Sequence, residues 1–527
     1  MRAVIGLDYG TQSARAVLAD TETGRVLLSH TVKYPHGVMA GELASIEDYE
    51  AALTELLESV TPEEYRKDIA GICVDATSLT LVPVAADGRA LAKLPGFEQR
   101  RHAQIKLWKY HAAQKQADEA LELARAMGER FLGRTGGSIS SEWTLPKLLE
   151  IRDEDPEVYR HMDAALDLCE YLTFRLTGKL TRSTGSLCFK GLWSRDLGFP
   201  GDAFLNGLRP GFAEEYRYLM RGPVMRPGDR AGSLRPELCR RFGLNNDVAV
   251  ATGMLDGNTA LVALGALRAG DAALVVGTSN VLSLQTQQLY EIEGVCGVAM
   301  DGMTQGLYGI DSGQSGTGDM LEWYVNNAIP ASVQAEADKR GISPHQVLSE
   351  RIEQPWKNTV IAADWWNGSR NTPCDLSLPG IMSGLTMKTR PEDIYLALLQ
   401  SIACGTREII AQCEKYGLRV ERMLLAGGIT EKSPLLMHEY ANLLHRRILV
   451  GQVKEGPALG SAILAAVAAG IYATTAEACE HMGVQEFTCY EPDEEHSEAY
   501  EELYRKNHAL RRMAAAMKAG ETVNPKR

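Results

Sequence analysis

A Gly-Thr turn between two short apolar strands occurs near the start of the chain and again just past its middle. The first, Gly10-Thr11-Gln12-Ser13, separates strands predicted over 3–9 and 14–19; the second, Gly277-Thr278-Ser279, separates strands predicted over 272–276 and 281–285. Two such hairpin tips, one in each half, imply a duplicated domain whose two loops face each other across a cleft. With 527 residues the chain exceeds what one hydrophobic core fills, which also argues for two large domains.

The remaining elements follow in order. Thr21-Glu22-Thr23-Gly24 turns into a third strand over 25–33, so three hairpin strands open the protein. Tyr49, Leu53, Leu56 and Leu57 recur at helical spacing; 69–75 predicts a buried strand and 79–86 another. From about 97 to 245 the chain reads as mostly helical and loop-like, including an amphipathic run over 111–127 and a segment over 167–176. In the second half, a strand over 308–311 leads into Ser312-Gly313-Gln314-Ser315, and 392–413 forms a long helix with Leu399, Ile402 and Ile409 on its apolar side. A strand over 423–426 stops at Gly427-Gly428; 435–444 is helical, 447–450 extended and 459–469 a small-residue helix. The charged tail over 476–527 is expected to be helical and peripheral. A β-meander followed by alternating helices and strands is the order of actin-like and ribonuclease-H-like ATPase domains. The expected fold is therefore α/β, with domains over 1–245 and 246–475 and a cleft between them.

Between a buried strand over 248–253 and a buried helix over 259–267 stands Met254-Leu255-Asp256-Gly257-Asn258-Thr259. Asp256 there has two readings: a shielded general base at a cleft, or an N-cap whose oxygen accepts orphan N–H groups. No Gly-x-x-x-x-Gly-Lys-Ser/Thr is present, and no Gly-x-Gly-x-x-Gly follows the first strand. Instead Gly10-Thr11, Gly277-Thr278 and Gly427-Gly428 lie at turns, where bare N–H groups can face phosphate oxygens, so the three together point to a nucleotide. Asp8, ending the first strand, fits a carboxylate holding Mg²⁺ through water, or else a turn residue. Phosphoryl transfer asks of a protein mainly positioning, charge neutralisation and a base for the attacking hydroxyl, and Asp256 would be that base.

Composition narrows the partners. A net charge of −13 without a basic stripe argues against nucleic acid. The ten cysteines form no Cys-x-x-Cys pair, which argues against a zinc ribbon or a disulfide framework. No signal-peptide pattern or uninterrupted membrane-length apolar run is evident, so no membrane partner and a cytoplasmic location are expected.

Read together, these segments resemble the FGGY carbohydrate kinases, with the ribulokinases the nearest branch, over nearly the whole chain. The resemblance rests on Gly6-Leu7-Asp8-Tyr9-Gly10-Thr11-Gln12-Ser13, Val74-Asp75-Ala76-Thr77, Leu107-Trp108-Lys109-Tyr110-His111 and Ser140-Ser141-Glu142-Trp143. It continues through Phe189-Lys190-Gly191-Leu192-Trp193, Val276-Gly277-Thr278-Ser279, Ser312-Gly313-Gln314-Ser315, Asp364-Trp365-Trp366-Asn367-Gly368 and Ala426-Gly427-Gly428-Ile429. It implies ATP and Mg²⁺ as cofactors, a small sugar or polyol in the cleft, and a terminal hydroxyl as acceptor. L-ribulose is the first expectation, ahead of xylulose, D-ribulose and ribitol, and a place in arabinose catabolism goes with it. By the same resemblance Asp256 is the catalytic base and Lys190, Trp108 and Lys109 belong to the sugar pocket. Gly10, Thr11, Gln12, Ser13, Gly277, Thr278, Gln314, Gly427, Gly428 and Lys432 would meet the nucleotide. Dimers are common in the family, so a homodimer is an expectation. Three departures bear on the sugar: Asp311 where Glu is usual, Ser78-Leu79 in place of a smaller pair, and Asn280-Val281-Leu282 after Gly-Thr-Ser. An actin- or Hsp70-like ATPase switch and a non-catalytic sugar sensor are the competing readings; the segments around Trp108 and Lys190 favour the kinase.

Overall fold

The computed structural model describes residues 2–352, 359–371 and 374–520. Ala3–Tyr9, Ser13–Asp20 and Val26–Lys33 form the predicted meander, and Ala3–Tyr9 pairs in parallel with Ile69–Ala76 on its other side. Ala249–Ala251 and Arg230–Ser233 complete a six-stranded sheet. Every residue of Ala3–Tyr9 is buried, as a strand covered on both faces requires. The second half repeats the device: Asp271–Val276 runs antiparallel to Asn280–Thr286 and parallel to Arg422–Ala426 within a seven-stranded sheet. The two-domain α/β architecture read from the duplicated hairpin is thus present.

Ile46–Val60 and Leu168–Thr177 cover the outer face of the first sheet, while Pro391–Lys415 and Pro434–Leu444 belong to the core of the second. Both sheets meet the same central helix pair, Asp256–Leu264 and Gly456–Ala468. Val4, Val17 and Cys73 from one side and Ala273, Leu424 and Ala426 from the other share one apolar cluster with these helices. Small residues permit the approach: a Cβ on Gly6 would stand 1.8 Å from the Ala458 carbonyl oxygen, and one on Gly460 2.2 Å from that of Thr259. A four-stranded sheet (Leu43–Ala44, Ile105–Lys106, Leu81–Val84, Ala164–Asp167) and the helices Gln114–Met127 and Thr144–Glu154 flank the first sheet.

Several expectations change in three dimensions. The strand over 79–86 shrinks to Leu81–Val84, because Leu79 adopts a left-handed backbone with φ 61°. Its N–H donates to Asp167 at 3.0 Å and its carbonyl accepts from the buried Lys147 ammonium at 2.6 Å, which hold the turn. The strand over 308–311 continues to Gln314, since Ser312, Gly313 and Gln314 pair with Leu282, Val281 and Asn280. The tail is not peripheral. Phe487–Tyr490 is the edge strand of the second sheet, and Ser497–Lys518 sinks Tyr500 and Leu503 into the second core. Tyr500, Leu503, Asn507, Leu510 and Ala514 make a buried seam at three- and four-residue spacing inside a charged composition; residues 521–527 of the predicted tail lie outside the described residues. One described helix, Pro391–Lys415, is long and apolar enough to cross a bilayer, and it lies buried within the second core.

Candidate active site

Asp256 stands in the first turn of Asp256–Leu264, one residue inside the helix. Leu255 occupies the N-cap position, so the capping reading gives way: among the described residues Asp256 Oδ1 accepts only the adjacent Gly257 N–H, at 2.7 Å. Its carboxylate forms part of the wall of a cavity of about 770 Å³. Burial and the nearby Asp8 and Asp311 carboxylates push its pKa up to about 7, against the pull of the Gly257 N–H.

Ser78, Trp108, Lys190 and Asp311 line the same cavity. Lys190 ends the helix Thr184–Lys190, and its ammonium donates to Asp311 Oδ2 at 3.0 Å while lying 5.8 Å from the centre of the Trp143 ring. Burial works against the Lys190 charge, but Asp311, together with Cys296 and Glu142, outweighs it and raises the pKa above the ordinary lysine value. Truncating either partner would leave the other charge buried and alone, at a cost of about 3–5 kcal/mol. Trp108 donates its indole N–H to Thr11 Oγ1 at 3.0 Å, and the Arg370 guanidinium lies 5.1 Å from its ring centre. Arg370 in turn donates to Glu142 Oε1 at 3.0 Å. Lys109, placed with the sugar residues by sequence, is not among the cavity's lining residues; its charge acts on Asp319 in the helix Thr317–Asn327.

The glycine turns lie at the ends of the sheet strands. Gly10 N–H closes its turn on the Ser13 carbonyl at 3.0 Å, leaving Gln12 exposed, and Gly277 N–H does the same with Ser279 at 3.1 Å, leaving Thr278 exposed. Gly427 has φ 120° and a Cβ there would stand 2.3 Å from the Val276 carbonyl oxygen, so the turn admits no side chain. Gly428 faces open space and Lys432 is exposed just beyond it. Gln314 differs. Its amide is buried among Asp364, the Ile402 carbonyl, Asn280 and Thr406, so the expectation of a nucleotide contact through this side chain gives way to a sealed network joining strand to helix. Asn280, one of the departures, belongs to that network and also donates to the Tyr440 hydroxyl at 2.7 Å.

Asp8 and Asp75 occupy paired positions of parallel strands. Burial, followed for Asp75 by the neighbouring Asp8 charge, raises both pKa values, and Arg15 offsets part of this at Asp8. Asp75 Oδ2 accepts from Ser461 at 2.6 Å, while Oδ1 is buried without a partner among the described residues. Two adjacent buried carboxyls with an orphaned oxygen suit a shared cation, so the donor set fits a hard divalent metal.

Residues 3–188 match the N-terminal domain of the FGGY family of carbohydrate kinases, and residues 272–469 match its C-terminal domain. The chain belongs to this family. It is similar to the ribulokinases of Anoxybacillus flavithermus (37% identical over 524 residues, covering 95% of this chain and 93% of that one) and Halalkalibacterium halodurans (37% over 522 residues, with 95% and 93% covered). Its fold is also that of a xylulose kinase from Lactobacillus acidophilus, with a TM-score of 0.82 at 19% identity, covering 98% of this chain and 99% of that one. As a carbohydrate kinase the protein is an enzyme, which removes the reading as an ATPase switch. Asp75, Glu142 and Arg370 were not singled out by sequence reasoning, although Asp75 and Glu142 lie in segments that carried the FGGY resemblance. The available signal for Asp75 was an aspartate ending a strand that parallels the Asp8 strand; for Glu142 and Arg370 there was none, since only the fold joins them.

Proposed function

We propose that this FGGY kinase transfers the γ-phosphoryl group of ATP to the terminal hydroxyl of L-ribulose. The carrying observation is the cavity in which Asp256 stands with the Lys190–Asp311 pair, its wall also including Trp108, which donates to Thr11 of the first glycine turn. The ribulokinases of similar sequence support the choice of sugar. In this mechanism the sugar's polar groups are oriented by Lys190, Asp311 and Ser78, and Trp108 offers a flat apolar wall. Asp256 takes the proton of the terminal hydroxyl as that oxygen attacks the γ-phosphorus in line, and the ADP oxygen leaves. The N–H groups of Gly10-Thr11, Gly277-Thr278 and Gly427-Gly428 stabilise the phosphate charge. Asp8, with Asp75 beside it, would hold Mg²⁺, which neutralises phosphate charge when bound. Closure of the cleft keeps water from taking the sugar's place.

ADP release measured across ketopentoses, ketohexoses and pentitols tests the substrate, with the highest kcat/KM expected for L-ribulose. Asp256→Asn is expected to lower kcat by about 10²–10⁴-fold with ATP affinity retained; unchanged turnover rejects the base.

A further inference from the structure

Three contacts run in series from one side of the cleft to the other. The segment Asp364 to Asn371, which follows the strand Ile361–Ala363 beside the second sheet's helices, brings Arg370 over the Trp108 ring at 5.1 Å. The Arg370 guanidinium is oriented by Glu142 from the first-sheet side at 3.0 Å, and its Nε is buried without an acceptor among the described residues. Trp108 then donates its indole N–H to Thr11, in the first glycine turn, at 3.0 Å.

The backbone on both sides of this relay is pinned. The fully buried Lys147 donates to the Leu107 carbonyl at 2.9 Å and to the Leu79 carbonyl at 2.6 Å, fixing the residue before Trp108 and the residue after Ser78. The half-buried indole therefore keeps its own torsions as the main remaining freedom. It lines the sugar cavity, as Arg370 does, and donates from its edge to the phosphate turn.

We infer that Trp108 is a positioning residue through which occupancy of the sugar cavity and occupancy of the Gly10–Ser13 phosphate turn favour each other, with Arg370, which lines the same cavity, held over its ring. A sugar against the indole limits its rotation and holds the N–H on Thr11, which orders the turn for a phosphate. By linkage, a phosphate that orders the turn holds the indole for the sugar. The cation over the ring strengthens this hold only when the second side of the cleft is closed. This rests on the kinase reading above.

The test is calorimetric binding of a non-hydrolysable ATP analogue, AMP-PNP, with and without saturating L-ribulose. The wild-type protein is expected to bind AMP-PNP at least about fivefold more tightly with the sugar present. Thr11→Val keeps the shape and removes the acceptor, and Trp108→Phe keeps a ring and removes the donor. Each is expected to lower the coupling by about fivefold, the size of one hydrogen bond, and the double variant to lose no more than either single one. Thr11→Ser should restore wild-type coupling, and Arg370→Gln should lower it without altering AMP-PNP affinity in the absence of sugar. Undiminished coupling in Thr11→Val, or additive losses in the double variant, overturns the inference, and Thr11→Val decides the matter if Trp108→Phe does not fold. Wild-type protein that binds both ligands without coupling sinks the inference alone; wild-type protein that binds neither sinks the kinase reading with it.

Discussion

Asp256 holds a proton near neutrality because its surroundings withhold water and face it with two other carboxylates. In its proposed role as the base it works only when ionised, so kcat/KM for the sugar is expected to fall about tenfold per pH unit below about 7 and to level off above it. A pH–rate profile checks this. The same shift has a stability consequence of definite sign. The folded pKa of about 7 exceeds the ordinary value of 3.8, so the unfolded chain gives up this proton first, and stability drains as pH rises from about 4 to 7. Asp256→Asn is therefore expected to raise the melting temperature at pH 8 and to raise it less at pH 5, as differential scanning calorimetry would record. Asp311 makes a different kind of prediction. Its carboxylate reaches Lys190 with one methylene fewer than a glutamate, and Asp311→Glu is expected to push the ammonium into the cavity. The KM for the best sugar should rise about tenfold while that for ATP stays unchanged in steady-state assays. At this scale the sequence was a partial guide. Asp256 stood out because a lone acid lay between two apolar elements, although the same stretch also read as a helix cap. The buried network of the Gln314 amide was not legible, because its four partners come from three distant segments.

At the scale of elements, the central helix pair explains where the small residues went. Gly456–Ala468 lies so close to Ala3–Tyr9 and Ile69–Ala76 that Gly6 and Gly71 have no room for a methyl group. Gly6→Ala is expected to cost about 1–3 kcal/mol in urea unfolding, with activity falling too, because Asp8 follows two residues on in the same strand. A substitution without loss of stability would show that the helix can retreat. The central strands were readable as short apolar runs, most of them closed by glycine, since they are buried almost throughout, and the long helix from its apolar residues at helical spacing. Leu79 was not, because its turn is held by Asp167 and Lys147 from elsewhere in the chain.

Over the whole molecule, the last helix is structural. Ser497–Lys518 places Tyr500 and Leu503 in the second core and sends Arg511 to Asp364, at the start of the segment that carries Arg370. A chain ending at residue 495 is expected to lose the cooperative melting transition of the second half and all sugar kinase activity. Retained activity would instead make the tail dispensable. The charge of the tail concealed its role, since a buried seam on one helix face is compatible with many charges on the other.

By itself the sequence determined the duplicated hairpin frame, the absence of a P-loop, the glycine turns at the strand ends and the acid between strand and helix. Those are local: each depends on residues within a few positions of one another, whose spacing and backbone freedom are intrinsic. Which acids stand close enough to shift one another, which lysine is paired in the cavity, and which arginine lies over Trp108 were decided only by the tertiary structure. Burial and charge proximity arise between residues from distant segments of the chain, and no periodicity encodes them.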